Sequence, residues 1–228
     1  TIMKKFFTLI AAVAMAASVN AQVLTFDTDY AAGAIPATIT SNGLVLSIVD
    51  TNAKISVDGN TAYFGTKDSY VRFAKRMKSG GKSSSKNMLT LALPADGTLK
   101  VYARTGSSGA TDRNVILTQN DVELYNQVVK EADAVTVNMI NGEGIEESKK
   151  VYPAISVPVV KGDVVITYPI GSINFYGFEL VAACTSGISN INASEAANEG
   201  ATFNLLGQKV ASNAKGLVIK NGKKFINK

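Results

Sequence analysis

The chain has 228 residues, with 23 lysines and arginines against 18 acids, one cysteine, no tryptophan and no histidine. The missing histidine excludes Ser-His-Asp and Cys-His catalysis and histidine-containing zinc sites, and one cysteine allows neither an internal disulfide nor a thiolate cluster. The charge of +5 becomes +3 once Lys4 and Lys5 are discounted, too small a surplus to imply nucleic acid.

In chain order, the first element is a leader. Met3 opens on the basic pair Lys4-Lys5, an apolar stretch runs from Phe6 to Ala17, and Val19-Asn20-Ala21 presents small side chains where a signal peptidase inspects the chain. Thr1 and Ile2 read as upstream translation. A transmembrane anchor is the competing reading, but the apolar stretch falls short of the roughly 20 residues a span needs. The expectation is therefore a signal peptide over 1–21 (3–21 proper), a mature chain from Gln22 without a membrane span, and a place of work outside the cytoplasm.

The mature chain reads as short β runs separated by turn residues. Leu44 to Val49 follows Ser41-Asn42-Gly43, and Lys54 to Val57 is read as closing on a hairpin turn at Asp58-Gly59-Asn60. Leu89 to Leu93 alternates and stops at Pro94, and Asp96-Gly97 leads into the alternating run Leu99 to Arg104. Val151 to Val160 precedes a turn at Lys161-Gly162-Asp163, then come Val164 to Tyr168 and Ile173 to Val181. In that last run strict alternation puts Ile173, Phe175, Gly177 and Glu179 on one face and Asn174, Tyr176, Phe178 and Leu180 on the other. Both faces are largely apolar, as in a central strand covered on both sides. Such runs predict an all-β fold, an antiparallel β-sandwich over 22–181.

Two stretches read differently. Asp121 to Ala132 has Val122, Tyr125, Val128, Val129 and Ala132 at helical spacing, which allows a short helix or an irregular strand. Lys75 to Lys86 (KRMKSGGKSSSK) reads as a basic Gly/Ser-rich surface loop, or as a patch for acidic polysaccharide or lipopolysaccharide. Residues 182–201 are small and polar, as in a linker. Residues 202–228 hold two short β segments with a type I′ hairpin signal at Asn221-Gly222, a small unit that is marginal alone or docks on something.

Two resemblances add to this. Phe203-Asn204-Leu205-Leu206-Gly207-Gln208-Lys209-Val210, then Lys215-Gly216-Leu217-Val218-Ile219, then Asn221-Gly222-Lys223-Lys224 resembles the C-terminal domain of secreted Bacteroidetes proteins, a type IX sorting signal in its longer versions. The resemblance implies export toward the cell surface and a contact between the tail and secretion machinery. Leu99 to Gly106 with Asp112-Arg113, and Ile173 to Leu180, are similar to jelly-roll modules that accompany pectate lyases in the same bacteria. That likeness implies an ancillary, glycan-binding β-sandwich.

For chemistry, the acids are scattered rather than paired for glycoside hydrolysis, no nucleotide-binding fingerprint precedes a helix, and no short period suggests a β-helix lyase. Asp27 and Asp29, with Glu179 on a terminal strand, could supply oxygens to a structural calcium, or stand as solvated edge residues. Tyr102, Arg104, Arg113 and Tyr176 are the glycan-contact candidates. Arginine offers a planar fork to hydroxyls or carboxylates, and tyrosine a ring face with a polar tip. The same tyrosines alternate with core residues, so burial is the competing expectation. The resulting expectation is a secreted or surface-displayed, non-catalytic module that binds an extracellular polysaccharide or glycan. The alternatives are a structural or adhesive protein that binds other proteins and, last, a polysaccharide lyase or glycosidase.

Overall fold

The computed structural model describes residues 21–140, 144–183, 202–204, 208–211, 214–220 and 223–227. Contacts divide the chain into two compact units, Thr1–Ala183 and Cys184–Lys228. Residues 1–20 of the expected leader and 184–201 of the expected linker lie outside the described residues.

Turn chemistry sets out the first unit. β1 (Ala21–Thr25) precedes the hairpin β2 (Thr38–Ser41) and β3 (Leu44–Asp50). Asn42 and Gly43 between them both have positive φ, 50° and 84°, the pair of left-handed residues that a type I′ turn requires. β4 (Ser56–Gly65), β5 (Tyr70–Lys78), β6 (Asn87–Leu93) and β7 (Gly97–Thr105) follow. β8 (Asn114–Gln119) and β9 (Val122–Val128) form a hairpin, then a 3-10 turn (Glu131–Asp133) leads to β10 (Val135–Ile140), β11 (Glu146–Tyr152), β12 (Ile155–Val159), β13 (Gly162–Thr167) and β14 (Ile173–Ala182).

Among the described residues these strands make two sheets. One runs β10-β11-β4-β5-β14-β7-β12, with β1 also paired to β14, and the other runs β2-β3-β6-β13-β8-β9. The chain passes repeatedly between them, as in a jelly-roll sandwich, and every pairing is antiparallel except β11 with β4. The two inner faces share one core. Leu46, Leu91, Leu117 and Ile166 come from one sheet, and Leu99, Val101, Phe175 and Phe178 from the other. Full burial of such side chains contributes about 1.5–3 kcal/mol each. The all-β antiparallel sandwich read from the alternating runs is the observed fold.

Several local readings are corrected. Asp58-Gly59-Asn60 is not a turn: β4 runs through it, and the register with β5 slips between Gly59 and Ala62. The hairpin closes at Thr66–Ser69 instead, where the Thr66 N–H donates to the Ser69 carbonyl at 2.8 Å. The run Val151–Val160 belongs to two strands, broken at Pro153-Ala154. Of the two readings of Asp121–Ala132 the irregular strand is the observed one, β9 with a slip in its register to β8, followed by one 3-10 turn. Asn120 and Asp121 both take positive φ, 51° and 63°, and turn the chain back before a helix can start. The basic stretch is a loop only from Ser79 onward, since Lys75–Lys78 end β5 and Met77 is fully buried. Lys75 pairs with Asp29 at 3.0 Å, and Arg76 and Lys78 share Asp58 at 2.9 and 2.8 Å, so two carboxylates meet three of the five cations of this stretch.

The faces of β14 also differ from strict alternation. Its register with β7 shifts between Phe175 and Gly177, which leaves Tyr176 as an extra residue. A bulge of one residue reverses the side-chain faces beyond it. Ile173, Phe175, Phe178 and Leu180 therefore all enter the core, while Tyr176 belongs to a second cluster on the opposite face.

In the second unit β15 (Thr202–Phe203), β16 (Lys209–Val210), β17 (Gly216–Lys220) and β18 (Lys223–Asn227) form a sheet ordered β16-β15-β17-β18. Lys220 stands opposite Lys223, so β17 and β18 pair as a hairpin whose two linking residues, Asn221-Gly222, lie outside the described ones.

Candidate functional site

The site begins with alternation along β7. Leu99, Val101 and Ala103 point into the core, which leaves Lys100, Tyr102 and Arg104 on the outer face of the larger sheet. The adjoining strand β14 adds Tyr176 from its bulge and Glu179, which stands opposite Lys100 in register.

The sheet curls over this face. Phe64 on β4 is three strands from β7, about 14 Å away in a flat sheet at ~4.8 Å per strand. Its ring centroid nevertheless lies 5.6 Å from that of Tyr102 and 5.1 Å from that of Tyr176. Phe73 on β5 lies 4.7 Å from Tyr102, and Tyr152 on β11 5.8 Å from Phe64. Gly177 permits this closure: a Cβ there would stand 2.9 Å from both the Phe73 ring and the Leu24 carbonyl.

The hydroxyls of this enclosed cluster meet polar partners. The Tyr102 hydroxyl donates to Glu179, whose other oxygen accepts from Lys100 Nζ at 3.1 Å. Burial first, and then that bond, pushes the Tyr102 phenol far above its ordinary value. The Tyr176 hydroxyl donates to Asn60 Oδ1 at 2.6 Å, and burial raises its pKa as well. The Tyr152 hydroxyl donates to Glu131 Oε1 at 2.6 Å. Arg104 lies over the Tyr152 ring, 4.2 Å from its centroid, and pairs with Glu131 at 3.2 Å. Burial alone would raise the Glu131 pKa. The Tyr152 bond, the Arg104 charge and the bonds from Lys150 and Arg104 outweigh it and hold the carboxyl below its usual range.

Two clefts reach this cluster from solvent. The first, about 260 Å³, opens where β1 and β5 diverge along β14, and Asp27, Arg72, Lys75 and Phe73 line it. The second, about 370 Å³, opens beside the β4–β5 turn, with Ser69, Tyr70, Lys100 and Ser156 in its walls. Val71, Tyr102 and Glu179 line both.

The structure brings Tyr102, Arg104 and Tyr176 together through the pairing of β7 with β14, but not as an open platform. Tyr102 and Tyr176 are 3% and 0% exposed, so neither ring face is free for stacking. Arg104 lines neither cleft, and Arg113 stands apart, with Asp112 at 3.4 Å and its guanidinium where a side chain on Gly171 would be. Of the proposed calcium ligands, Asp27 and Glu179 line the first cleft, whereas Asp29 is taken by Lys75. Among the described residues no three acidic, histidine or cysteine side chains gather closely enough to hold a cation. Sequence reasoning missed Lys100 although it shares the period-two face of Tyr102. It also missed Tyr70, Val71, Phe73 and Ser156, which reach the site only through the curl of the sheet.

A scan of protein-family models finds no match to this chain. No curated protein matches it. Among solved structures the chain is similar to one described by the words "The complexity of the Ruminococcus flavefaciens cellulosome reflects an expansion in glycan recognition". The two share 12% identity, covering 64% of this chain and 97% of that one, at a TM-score of 0.28. A superposition that loose says nothing about a ligand.

Proposed function

We propose that this chain is an exported, non-catalytic module that binds extracellular carbohydrate in the clefts on the outer face of its larger sheet. One observation carries the reading: two clefts with apolar walls converge on a fixed tyrosine–glutamate–lysine triplet. A sugar offers an apolar ring face edged with hydroxyls, and such a site needs apolar walls with a few rigid donors and acceptors. Val71, Phe73 and the half-exposed Tyr70 supply apolar surface. Glu179 and Asp27 accept from hydroxyls, and Lys100, Lys75 and Arg72 donate. Export rests on the leader over 3–21, and display at the surface on the form of the tail. The N-terminal mass of the protein recovered from culture medium or the outer surface tests both.

A glycan array probed with the chain from Gln22 onward tests the binding. Signal on a restricted set of glycans that Lys100→Ala and Tyr70→Ala both weaken supports the reading, and an empty array at millimolar glycan sinks it. A second reading, glycoside hydrolysis, has one observation in its favour, since Asp27 and Glu179 line the same cleft. Both Glu179 oxygens already accept bonds, from Lys100 and Tyr102, the arrangement of a fixed acceptor for ligand hydroxyls. Release of reducing sugar from a bound polysaccharide would reverse that preference.

A further inference from the structure

We infer that the two clefts are adjoining subsites of a single groove, so that the ligand is a glycan chain of at least two sugar residues with a glycosidic bond over the divide. This rests on the carbohydrate reading above and adds the size and placement of what binds.

The divide is thin. Val71, Tyr102 and Glu179 line both clefts, so only a layer of side chains separates them. Each cleft has its own polar groups beyond the shared ones, Thr25 and Asp27 on one side and Ser69 and Ser156 on the other. At about 260 and 370 Å³ each cleft alone lies at or below the low end of the roughly 300–1,000 Å³ usual for ligand pockets, whereas the pair falls well within it. A single sugar would fill one cleft and leave the polar groups of the other to water.

Glu179 is placed to serve both sides. One of its oxygens accepts from Lys100, which lines only the second cleft, and the other from Tyr102, which lines both. A carboxylate has about four acceptor positions, so capacity remains for hydroxyls of the rings on either side. Its side chain is only 12% exposed, and Lys100 and Tyr102 fix its orientation before any ligand arrives. That spares the ligand the ordering cost of a mobile acceptor.

The test uses the full chain and xylo-, cello- and manno-oligosaccharides from mono- to tetrasaccharide, titrated by calorimetry. In a series that binds, affinity should rise about tenfold or more between mono- and trisaccharide. Ala74→Trp, which fills the first cleft from an exposed strand position, and Ser156→Trp, which fills the second, should each abolish that gain. Amide shift mapping of the wild-type protein gives a check that no variant can confound. The tetrasaccharide should move Thr25 and Ser156 together, and the monosaccharide only one of them. Affinity independent of length, or a gain that survives both blocks, overturns the paired subsites and leaves carbohydrate binding standing. Silence in all three series at millimolar concentration overturns both.

Discussion

The larger sheet carries an aromatic-rich cluster on each face, and the two are built differently. Toward the sandwich interior, Phe175, Phe178, Leu91 and their neighbours are apolar, and the one tyrosine, Tyr168, donates its hydroxyl to buried Asn87 at 2.7 Å. Asn87 in turn donates to the Ser79 carbonyl at 2.8 Å, which pins the loop after β5. Toward the outside, three of the six clustered residues are tyrosines, and two of their hydroxyls end on carboxylates beside solvent. The inner cluster uses polar groups to lock backbone. The outer one uses rings to hold polar groups still at the edge of a cleft.

That contrast can be broken at chosen points. The largest effect is expected inside: Phe178→Ala should destabilise the fold by about 3–5 kcal/mol through the lost side chain and the cavity it leaves, measured by denaturant unfolding. Gly177→Ala should come next, at about 1–3 kcal/mol, because its new methyl meets the Phe73 ring and the Leu24 carbonyl. Unlike the first change it should also distort the first cleft, so glycan affinity should fall with stability.

A matched pair of hydroxyl deletions sharpens the comparison. Tyr168→Phe leaves Asn87 short of a donor and should cost about 1–2 kcal/mol of stability with ligand affinity unchanged. Tyr102→Phe should cost a similar amount or less and weaken glycan binding several-fold, since Glu179 then rests on Lys100 alone. Equal effects on binding from the two variants would erase the functional distinction between the clusters.

The smallest expected effect is electrostatic. The Glu131 carboxyl has its pKa lowered in the fold, so its contribution is present above the ordinary glutamate value of about 4.3 and is lost as pH falls through the depressed folded value. Its partial exposure limits the gain to about 0.5 kcal/mol. The stability difference between the wild type and Glu131→Gln should therefore be visible at pH 7 and vanish near pH 3 in unfolding titrations.

Much of the sandwich was legible from local pattern. Leu89–Leu93, Leu99–Arg104 and Val164–Tyr168 alternate because one face meets the core, and Asn42-Gly43 turns the chain because both residues accept positive φ. Legibility failed where a strand departs from regular pleat. Asp58-Gly59-Asn60 has the composition of a turn, yet the ladder on both sides carries it through as a bulge. Tyr176 inverts the faces after it, which composition cannot signal, since both faces of β14 are apolar. Burial of Tyr102 and Tyr176 was readable as one of two outcomes, since both alternate with core residues. Their grouping with Arg104 was not, because it depends on the pairing of β7 with β14, and the cover comes from Phe64 and Phe73, far away in sequence.

The sequence by itself determined the fold class, most strand positions, the absence of histidine chemistry and the shared face of Tyr102 and Arg104 along β7, all consequences of residue type and a period of two. Only the tertiary structure decided which aromatic faces are free, where the clefts open and which acid faces them. Those depend on the curl of the sheet and on single-residue slips in register. Both are set by pairings between distant strands, and no short stretch of sequence encodes them.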